Sequence, residues 1–278
     1  GEQAAAKGYK VGDKVTMFPV SFCGGCEWCK RGMTQYCINS KPTGAFAEYV
    51  VTDANTIFKL PDDADLKDYA IVEPTNCCLR AMDLAPIRHG ATVCVAGVGG
   101  IGSIMLNQII LSGAARITVI EPVEEKRKMA LEMGAEYAID PFNEDVVARA
   151  MEITDGLGFD YVFEAAGNPV TMHMAFEAAA NKARVCFIGT PHKDMSFTPA
   201  QWELMNRKEF LLTGSWMSYS APFPGKEWTL TAHYFATGQL KFDPAFIYKT
   251  YPMSQAAEAF AEFYHPEQVH GKIMLVNP

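Results

Sequence analysis

Four cysteines near the start of the chain have the spacing of a metal site. They follow the pattern Cys23-x2-Cys26-x2-Cys29-x7-Cys37. Four thiolates on one short loop can surround a Zn²⁺ ion as a tetrahedron, and a site that the protein fills completely is structural rather than catalytic. An iron–sulfur loop more typically has its fourth cysteine after three residues and then a proline, and a disulfide pair needs an oxidising compartment. We therefore expect structural zinc, with these two as the alternatives.

A glycine-rich turn in the middle of the chain suits a dinucleotide. It follows the strand-like run Thr92–Ala96 and opens an apolar helical stretch, which is the context that this motif requires. The first glycine permits a tight turn, the second leaves room for a pyrophosphate, and the last lets helix and strand pack closely. Unpaired N–H groups at the helix N-terminus then face the diphosphate. The predicted contact residues are Gly97, Gly99, Gly100, Ile101 and Gly102.

An acidic residue follows the next strand-like run at the expected distance. Glu121 lies nineteen residues after Gly102, where a carboxylate can accept hydrogen bonds from the adenosine ribose and repel a 2′-phosphate. This favours NAD over NADP as the cofactor. Lys126 could reach the same ribose, whereas the neighbouring Arg127 argues slightly in the other direction.

Apolar runs of strand length alternate with helical stretches from residue 91 onward. Strands are predicted over 91–96, 116–121, 159–163, 185–188 and 211–213. Helices are predicted over 101–112, 124–133, 145–153, 170–179 and 200–207. Such alternation predicts an α/β fold with a doubly wound, parallel sheet.

The two ends of the chain have a different pattern. Residues 10–60 are rich in Val, Phe, Gly and Pro, and short strands are predicted over 11–15 and 47–51. This part is therefore expected to be mostly β. The tail is expected to contain a helix over 253–264 and a final strand over 272–276.

The composition restricts the class of partner. The 278 residues carry a net charge of −8, which argues against nucleic acid and anionic membranes. No stretch of about 18 apolar residues is free of breakers, so no transmembrane helix is expected. The first residues resemble neither a signal nor a transit peptide, and clustered cysteines in such a chain favour a reducing cytoplasm.

Four features, in their order along the chain, resemble the zinc-containing medium-chain dehydrogenase/reductase family. They are the cysteine pattern, the segment GAFAEYV at 44–50, the pair Glu73-Pro74 and the glycine turn at 97–102. The resemblance covers nearly the whole chain. It implies a mostly β, GroES-like catalytic domain over 1–75 and 216–278, incomplete at its N-terminus. It also implies a Rossmann NAD-binding domain over 76–215.

The resemblance also implies a reaction. Glu73-Pro74 is similar to the polyol and threonine dehydrogenase branch, and the stretch 214–228 is similar to a polyol-phosphate dehydrogenase. In this family a catalytic zinc lowers the pKa of the hydroxyl of a small alcohol or polyol, and a hydride passes to NAD. Glu73 is then a ligand of that zinc or lies beside it, and Gly189 and Thr190 lie near the nicotinamide. Homodimers or homotetramers are implied.

One part of the family pattern is missing. The family supplies a Cys and a His-Glu pair ahead of the position that matches Lys10, and none of the six histidines here precedes a Glu. The chain also begins without Met, so we expect that the first part of its domain is not included. Glu73 alone cannot hold a catalytic zinc, which takes three protein ligands. Cys77, one helical turn further on, is either a substitute ligand or a packed, inert thiol.

Three functions remain open. The first is an NAD-dependent dehydrogenase of a polyol or polyol phosphate. The second is a truncated, inactive chain that still binds NAD. The third is a zinc-independent quinone reductase of the same superfamily, which the four cysteines and Glu73 argue against. The sequence favours the second function for this chain and the first for its parent protein.

Overall fold

A computed structural model describes residues 1–240, 246–265, 268–269 and 271–277 of the chain. Contacts within the chain divide it into two units. The cysteine-bearing unit comprises Gly1–Arg80, Met217–Pro266 and Ile273–Pro278, and the sheet unit comprises Ala81–Trp216 and Glu267–Lys272.

Short strands and helices make up both units. The strands are β1 (Val15–Met17), β2 (Val20–Ser21), β3 (Lys41–Pro42), β4 (Ile57–Lys59), β5 (Thr92–Ala96), β6 (Arg116–Ile120), β7 (Tyr137–Ile139), β8 (Phe159–Glu164), β9 (Ala179–Phe187), β10 (Leu211–Gly214), β11 (Ile247–Pro252) and β12 (Lys272–Val276). The α-helices are α1 (Glu2–Ala6), α2 (Glu27–Lys30), α3 (Leu66–Tyr69), α4 (Val72–Leu84), α5 (Gly100–Leu111), α6 (Glu124–Met133), α7 (Val146–Ile153), α8 (Pro169–Ala178), α9 (Pro199–Lys208), α10 (Gly225–Ala236) and α11 (Ala256–Ala261).

Six parallel strands form one sheet in the sheet unit. Their order is β10-β9-β8-β5-β6-β7, and at its centre Val95 of β5 lies opposite Val119 of β6 and Phe163 of β8. From β5 the chain adds β6 and β7 toward one edge of the sheet, and from β8 it adds β9 and β10 toward the other edge. The direction in which successive strands are added therefore changes between β5 and β8. Such a reversal leaves a crevice outside their carboxyl ends, where open α/β sheets bind ligands. The predicted doubly wound, parallel sheet is confirmed.

The sequence explains why these strands and helices form. Residues Val93–Ala96 of β5 are fully buried, and continuous apolar runs are typical of strands that helices cover on both faces. The helices begin at capping residues: the side chain of Asp145 accepts two backbone N–H groups at the start of α7. Asn168 caps α8, and Pro169 occupies the first turn of that helix. The capping side chains accept backbone N–H groups that a helix start leaves unpaired, and a proline in the first turn has no N–H to leave unpaired.

An aromatic cluster fixes the segment after β9 against α8. The fully buried ring of Phe176 packs against Phe197 with centroids 5.0 Å apart and against Phe210 at 4.9 Å. Burying a phenylalanine contributes about 1.5–3 kcal/mol. The loop that begins at Ile188 is therefore anchored at its far end.

In its described residues, the cysteine-bearing unit contains three small two-stranded sheets. Strand β1 pairs with β4 and β2 with β3, both antiparallel, and β11 lies beside β12. A separate core holds this unit together, and the ring of Phe18 packs edge-on against Tyr219 at 4.8 Å. The buried members of that core are Phe18, Leu60, Ala64, Tyr69, Val72, Tyr219 and Trp228.

Two predicted strands in this unit are wrong. Residues 11–14 form a turn instead of the start of a strand, because Gly12 has a φ of +92° and the Asp13 side chain accepts the N–H of Lys10 at 2.8 Å. Residues 47–51 are not a strand in the structure. Among the described residues no strand pairs with them, and Tyr49 and Val51 are 91% and 96% exposed.

The structure of the C-terminal residues agrees more closely with the prediction. The helix expected over 253–264 consists of a 3₁₀ turn, α11 and a second 3₁₀ turn, and β12 occupies 272–276. Within the described ranges, no helix has both the length and the apolar character needed to span a bilayer.

Candidate functional site

The four cysteines predicted to bind metal come together in the structure. The sulfurs of Cys23, Cys26, Cys29 and Cys37 all lie within 4.8 Å of one another, and those of Cys23 and Cys37 are 3.6 Å apart. Zinc bound tetrahedrally at about 2.3 Å would set its thiolates about 3.8 Å apart. The donor set and its dimensions therefore fit a zinc ion.

Hydrogen bonds in this loop favour the thiolate form of Cys23. Its sulfur accepts from the side chain of Asn39 at 3.6 Å and from the N–H of Cys26 at 3.4 Å. The Asn39 hydrogen bond and backbone N–H groups, including that of Gly25, lower the pKa of Cys23 to about 6. In contrast, burial and hydrogen bonds with neighbouring cysteines raise the pKa of Cys29 to about 12. Unequal thiols crowded in this way share protons, which a metal would displace.

The cysteine loop is anchored to the core of its own unit. Thr34, between the third and fourth cysteines, shares a 2.6 Å hydrogen bond with the hydroxyl of Tyr219. Tyr219 is fully buried against Phe18. The loop geometry therefore depends on packed residues far away in the sequence.

The glycine turn lies between β5 and α5 and tolerates a side chain at only some positions. Gly97 has a φ of +92°, and a Cβ there would lie 2.8 Å from Cβ of Ala166. A Cβ at Gly102 would lie 1.8 Å from the carbonyl oxygen of Gly97. At Gly99, by contrast, a Cβ would meet nothing within 4 Å. The turn therefore leaves open space directly before the first N–H groups of α5, where an anion is favoured.

The acid expected at the ribose is placed beside this turn. Glu121 is 4% exposed, and its Oε2 accepts the N–H of Val98 at 2.7 Å. Its Oε1 accepts the N–H of Val123 at 3.0 Å. Because a carboxylate offers about four acceptor positions, about two remain for further donors. Lys126 lies on α6, half-buried.

Arg127 is held by hydrogen bonds and an ion pair within the protein. Its guanidinium donates to the carbonyl oxygens of Glu121 and Pro122, at 2.7 Å each. It also forms an ion pair with Asp140 at 2.9 Å, in which both side chains are mostly buried. The cation next to Lys126 therefore stabilises the end of β6 and has little freedom to bind a phosphate.

The loops after β8 and β9 meet at two glycines. A Cβ at Gly189 would lie 2.1 Å from the backbone nitrogen of Gly167. A Cβ at Gly167, which has a φ of +66°, would lie 2.3 Å from the carbonyl oxygen of Thr190. The structure thus brings Gly189 and Thr190 against the loop that follows β8, at the carboxyl end of the sheet.

Sequence reasoning missed one cation near the glycine turn. The side chain of Lys272 lies beside Gly100, with its Cε 2.7 Å and its Nζ 3.3 Å from where a Cβ of that glycine would be. An ammonium beside the first turn of α5 adds positive charge where a diphosphate is expected. No local motif marks this lysine, because only the fold brings the two residues together.

Glu73 and Cys77 share one face of α4. The Cys77 thiol lies 3.5 Å from the carboxylate oxygen Oε1 of Glu73 and donates to it. In the described part of the chain, the four-cysteine cluster is the one set of three or more potential ligands close enough to hold a metal. Glu73 and Cys77 supply two donors, and a catalytic zinc takes three. The described residues therefore do not fit a catalytic zinc.

Comparisons with known proteins show the family of the chain. Residues 1–62 match the family description "Alcohol dehydrogenase GroES-like domain", and residues 100–232 match "Zinc-binding dehydrogenase". Galactitol 1-phosphate 5-dehydrogenase of Escherichia coli K12 is 31% identical over 276 residues, which cover 95% of this chain and 78% of that protein. L-threonine 3-dehydrogenase of Pyrococcus furiosus is 31% identical over 261 residues, 91% of this chain and 72% of the relative.

Solved structures give the same result. Galactitol-1-phosphate dehydrogenase from Escherichia coli superimposes with a TM-score of 0.88 at 29% identity, covering 95% of this chain and 77% of that one. A structure described as a zinc-binding dehydrogenase from Sinorhizobium meliloti 1021, bound to NADP, has a TM-score of 0.80 at 28% identity and covers 90% and 72%. The chain belongs to the zinc-containing medium-chain dehydrogenase/reductase family of oxidoreductases, as its motifs indicate.

Proposed function

We propose that this chain serves the NAD-dependent oxidation of a secondary alcohol in a polyol or polyol phosphate. The observation that carries the proposal is the glycine turn beside Glu121, at the crevice between β5 and β8. The bound nicotinamide would supply the redox chemistry by accepting a hydride from the alcohol carbon. The residues of this chain would bind the dinucleotide and orient it.

The placement of the residues supports a binding role for each of them. The open space at Gly99 and the N–H groups of α5 would receive the diphosphate, with Lys272 adding a positive charge. Glu121 and Lys126 would bind the adenosine ribose. Gly189 and Thr190 would line the nicotinamide end.

NAD is the proposed cofactor in preference to NADP. Glu121 would present a carboxylate to the ribose, where a 2′-phosphate would be repelled. Arg127, the cation that could offset this repulsion, is engaged by Asp140 and two carbonyl oxygens. NADP is the cofactor bound to the Sinorhizobium meliloti relative, so the preference has to be measured in this chain.

We propose that Cys23, Cys26, Cys29 and Cys37 hold a structural zinc. The mutual distances of their sulfurs and the N–H donors around them support this role. The ion would link the chain segments that precede and follow α2 to each other. It would supply no chemistry to the reaction. Thiolates of this kind persist in a reducing compartment, and we propose the cytoplasm.

A second candidate function is binding of NAD without turnover. Glu73 and Cys77 offer two potential donors, whereas a catalytic zinc takes three protein ligands. For the 278 residues considered by themselves we therefore expect cofactor binding with little oxidation of alcohols. Rapid oxidation of a sugar alcohol by this chain would contradict that expectation and favour the full dehydrogenase function.

The domain roles and the assembly are also proposals. We assign residues 1–75 and 216–278 to a GroES-like catalytic domain and 76–215 to the NAD-binding domain; the family matches at 1–62 and 100–232 support this assignment. A homodimer or homotetramer is proposed because β10 is an edge strand of the described sheet and carries the exposed Leu211. Sedimentation at a single monomer mass at all concentrations would rule it out.

Titration with reduced cofactor tests the proposed function. Bound NADH fluoresces more strongly than free NADH, so addition of the protein should enhance the emission and give a saturable curve. NADPH in a parallel titration should bind more weakly. A protein that is folded but binds neither cofactor would end the proposal.

A further inference from the structure

Glu164 is a buried carboxyl to which the proposed function gives no role. It ends β8 and has a relative exposure of 0%. Strand β8 lies next to β5, and Ala96, the last residue of β5, pairs with Glu164 itself. The carboxyl therefore lies at the strand ends that border the proposed dinucleotide crevice.

One oxygen of this carboxyl organises the loop after β8. Oε1 accepts the N–H of Ala166 at 3.0 Å, the N–H of Gly167 at 2.8 Å and the hydroxyl of Thr171 at 2.7 Å. Thr171 belongs to the first turn of α8. A single oxygen thus joins the end of the strand, the loop and the following helix.

The backbone of Glu164 holds the loop after β9. Its carbonyl oxygen accepts the N–H of Ile188 at 2.9 Å and that of Gly189 at 3.0 Å. A Cβ at Gly189 would lie 2.8 Å from Oε2 of Glu164. The second loop therefore passes directly over the carboxyl, with no room for a side chain.

The second oxygen of the carboxyl is left unpaired. Within the described residues Oε2 of Glu164 has no hydrogen-bond partner and is buried. Burial raises the pKa of Glu164, although the hydrogen bonds to Thr171 and to the loop N–H groups oppose this shift. Burying an unpaired oxygen costs free energy that an apolar residue would avoid. The three donors gathered by Oε1 give a reason to keep a carboxyl here.

We propose that Glu164 is a positioning residue for the dinucleotide, which fixes loop 165–168 and loop 188–190 against each other in the arrangement that binds the cofactor. The inference rests on the proposed cofactor site. Its effect on the cofactor is indirect and acts through the backbone of the two loops that border the crevice.

The test compares variants at the two ends of the same strand. Asp160, near the start of β8, accepts the N–H and the hydroxyl of Thr92 at 3.0 and 3.2 Å. These contacts lie at the amino ends of the strands, opposite the crevice. NADH affinity and the melting temperature are measured for Glu164→Ala, Glu164→Gln and the matched control Asp160→Ala.

The variants should affect NADH affinity and the melting temperature in different ways. We expect Glu164→Ala to weaken NADH binding at least about tenfold, equivalent to about 1.4 kcal/mol. Glu164→Gln should stay within about threefold of the wild type, because its amide oxygen still accepts hydrogen bonds from the donors of the loop and of Thr171. Asp160→Ala should lower the melting temperature and leave NADH affinity unchanged.

Several results would overturn the positioning role. A folded Glu164→Ala variant with wild-type NADH affinity would do so and leave the cofactor site intact. The same holds if Asp160→Ala weakens NADH as much as Glu164→Ala, or if Glu164→Gln binds as poorly as Glu164→Ala. Failure of the wild type to bind NADH would overturn this inference together with the proposed function.

A milder variant covers the case in which Glu164→Ala does not fold. Thr171→Val removes one of the three donors and keeps the shape of the side chain. It should weaken NADH binding by about threefold or more, since one of the three donors that hold the loop is lost and part of that loss falls on stability. Unchanged affinity in Thr171→Val would then overturn the inference.

Discussion

The backbone N–H of Val98 donates to Oε2 of Glu121 across 2.7 Å. Val98 lies inside the glycine turn, and Glu121 directly follows β6. The acid proposed to bind the ribose therefore also holds the turn proposed to bind the diphosphate. A change at Glu121 should affect both cofactor choice and the local stability of the turn.

Removing the carboxylate should alter the cofactor preference. Glu121→Ala is expected to weaken NADH about ten- to a hundredfold, since hydrogen bonds to charged groups contribute about 1.5–3 kcal/mol. NADPH should lose less affinity, because the repulsion of its 2′-phosphate disappears at the same time. Fluorescence titrations with both cofactors measure the ratio of their dissociation constants.

Glu121→Gln serves as the control for this change. It removes the charge but keeps an oxygen that can accept the N–H of Val98, so the turn should remain in place. The ratio should still move toward NADPH. An unchanged ratio in both variants would remove Glu121 from the cofactor site.

Two glycines in the turn should respond differently to the same added methyl group. A Cβ at Gly102 would lie 1.8 Å from a backbone oxygen, so Gly102→Ala should destabilise the fold by about 1–3 kcal/mol. A Cβ at Gly99 meets nothing within 4 Å, so Gly99→Ala should melt near the wild-type temperature and yet bind NADH more weakly. Thermal melts and NADH titrations separate the two effects, and normal binding by Gly99→Ala would argue against a diphosphate at that position.

The cysteine cluster should bind about one zinc ion per chain. Cys26→Ser should lower the bound zinc and the melting temperature, because a tetrahedral site loses one of its four ligands. Cys77→Ser is the matched control, since Cys77 lies outside the cluster. Metal analysis by mass spectrometry measures the zinc content, and a wild-type protein purified without chelators that contained none would contradict the assignment.

Turnover should be low in this chain. Glu73 and Cys77 offer two ligands where a catalytic zinc takes three, so NAD reduction with galactitol 1-phosphate or free sugar alcohols should stay near background. If activity is nevertheless high, Glu73→Ala and Cys77→Ser should both abolish it. Such a result would show that these two residues take part in a working zinc site.

The sequence predicts the sheet and the glycine turn well because their signals are local. The strand before Gly97, the glycines and the following helix are adjacent along the chain, and the buried strands are continuous apolar runs. The cysteine pattern is equally local, and the structure brings all four sulfurs together. Its role as a zinc site remains a prediction until metal is measured.

Features that depend on distant contacts could not be predicted in this way. Lys272 reaches Gly100 only through the fold, and nothing near Glu164 in the sequence marks it as the residue that joins two loops. The strand expected over 47–51 contains residue types that favour strands but has no partner among the described residues. Helix α10 was not predicted from the sequence.

The most direct measurement is a crystal structure of this chain soaked with NAD. The account predicts a diphosphate at the N-terminus of α5, within hydrogen-bonding distance of the Gly97–Gly102 turn, and an adenosine ribose beside Glu121. A fully occupied cofactor elsewhere on the protein, or an empty crevice at a saturating NAD concentration, would contradict it.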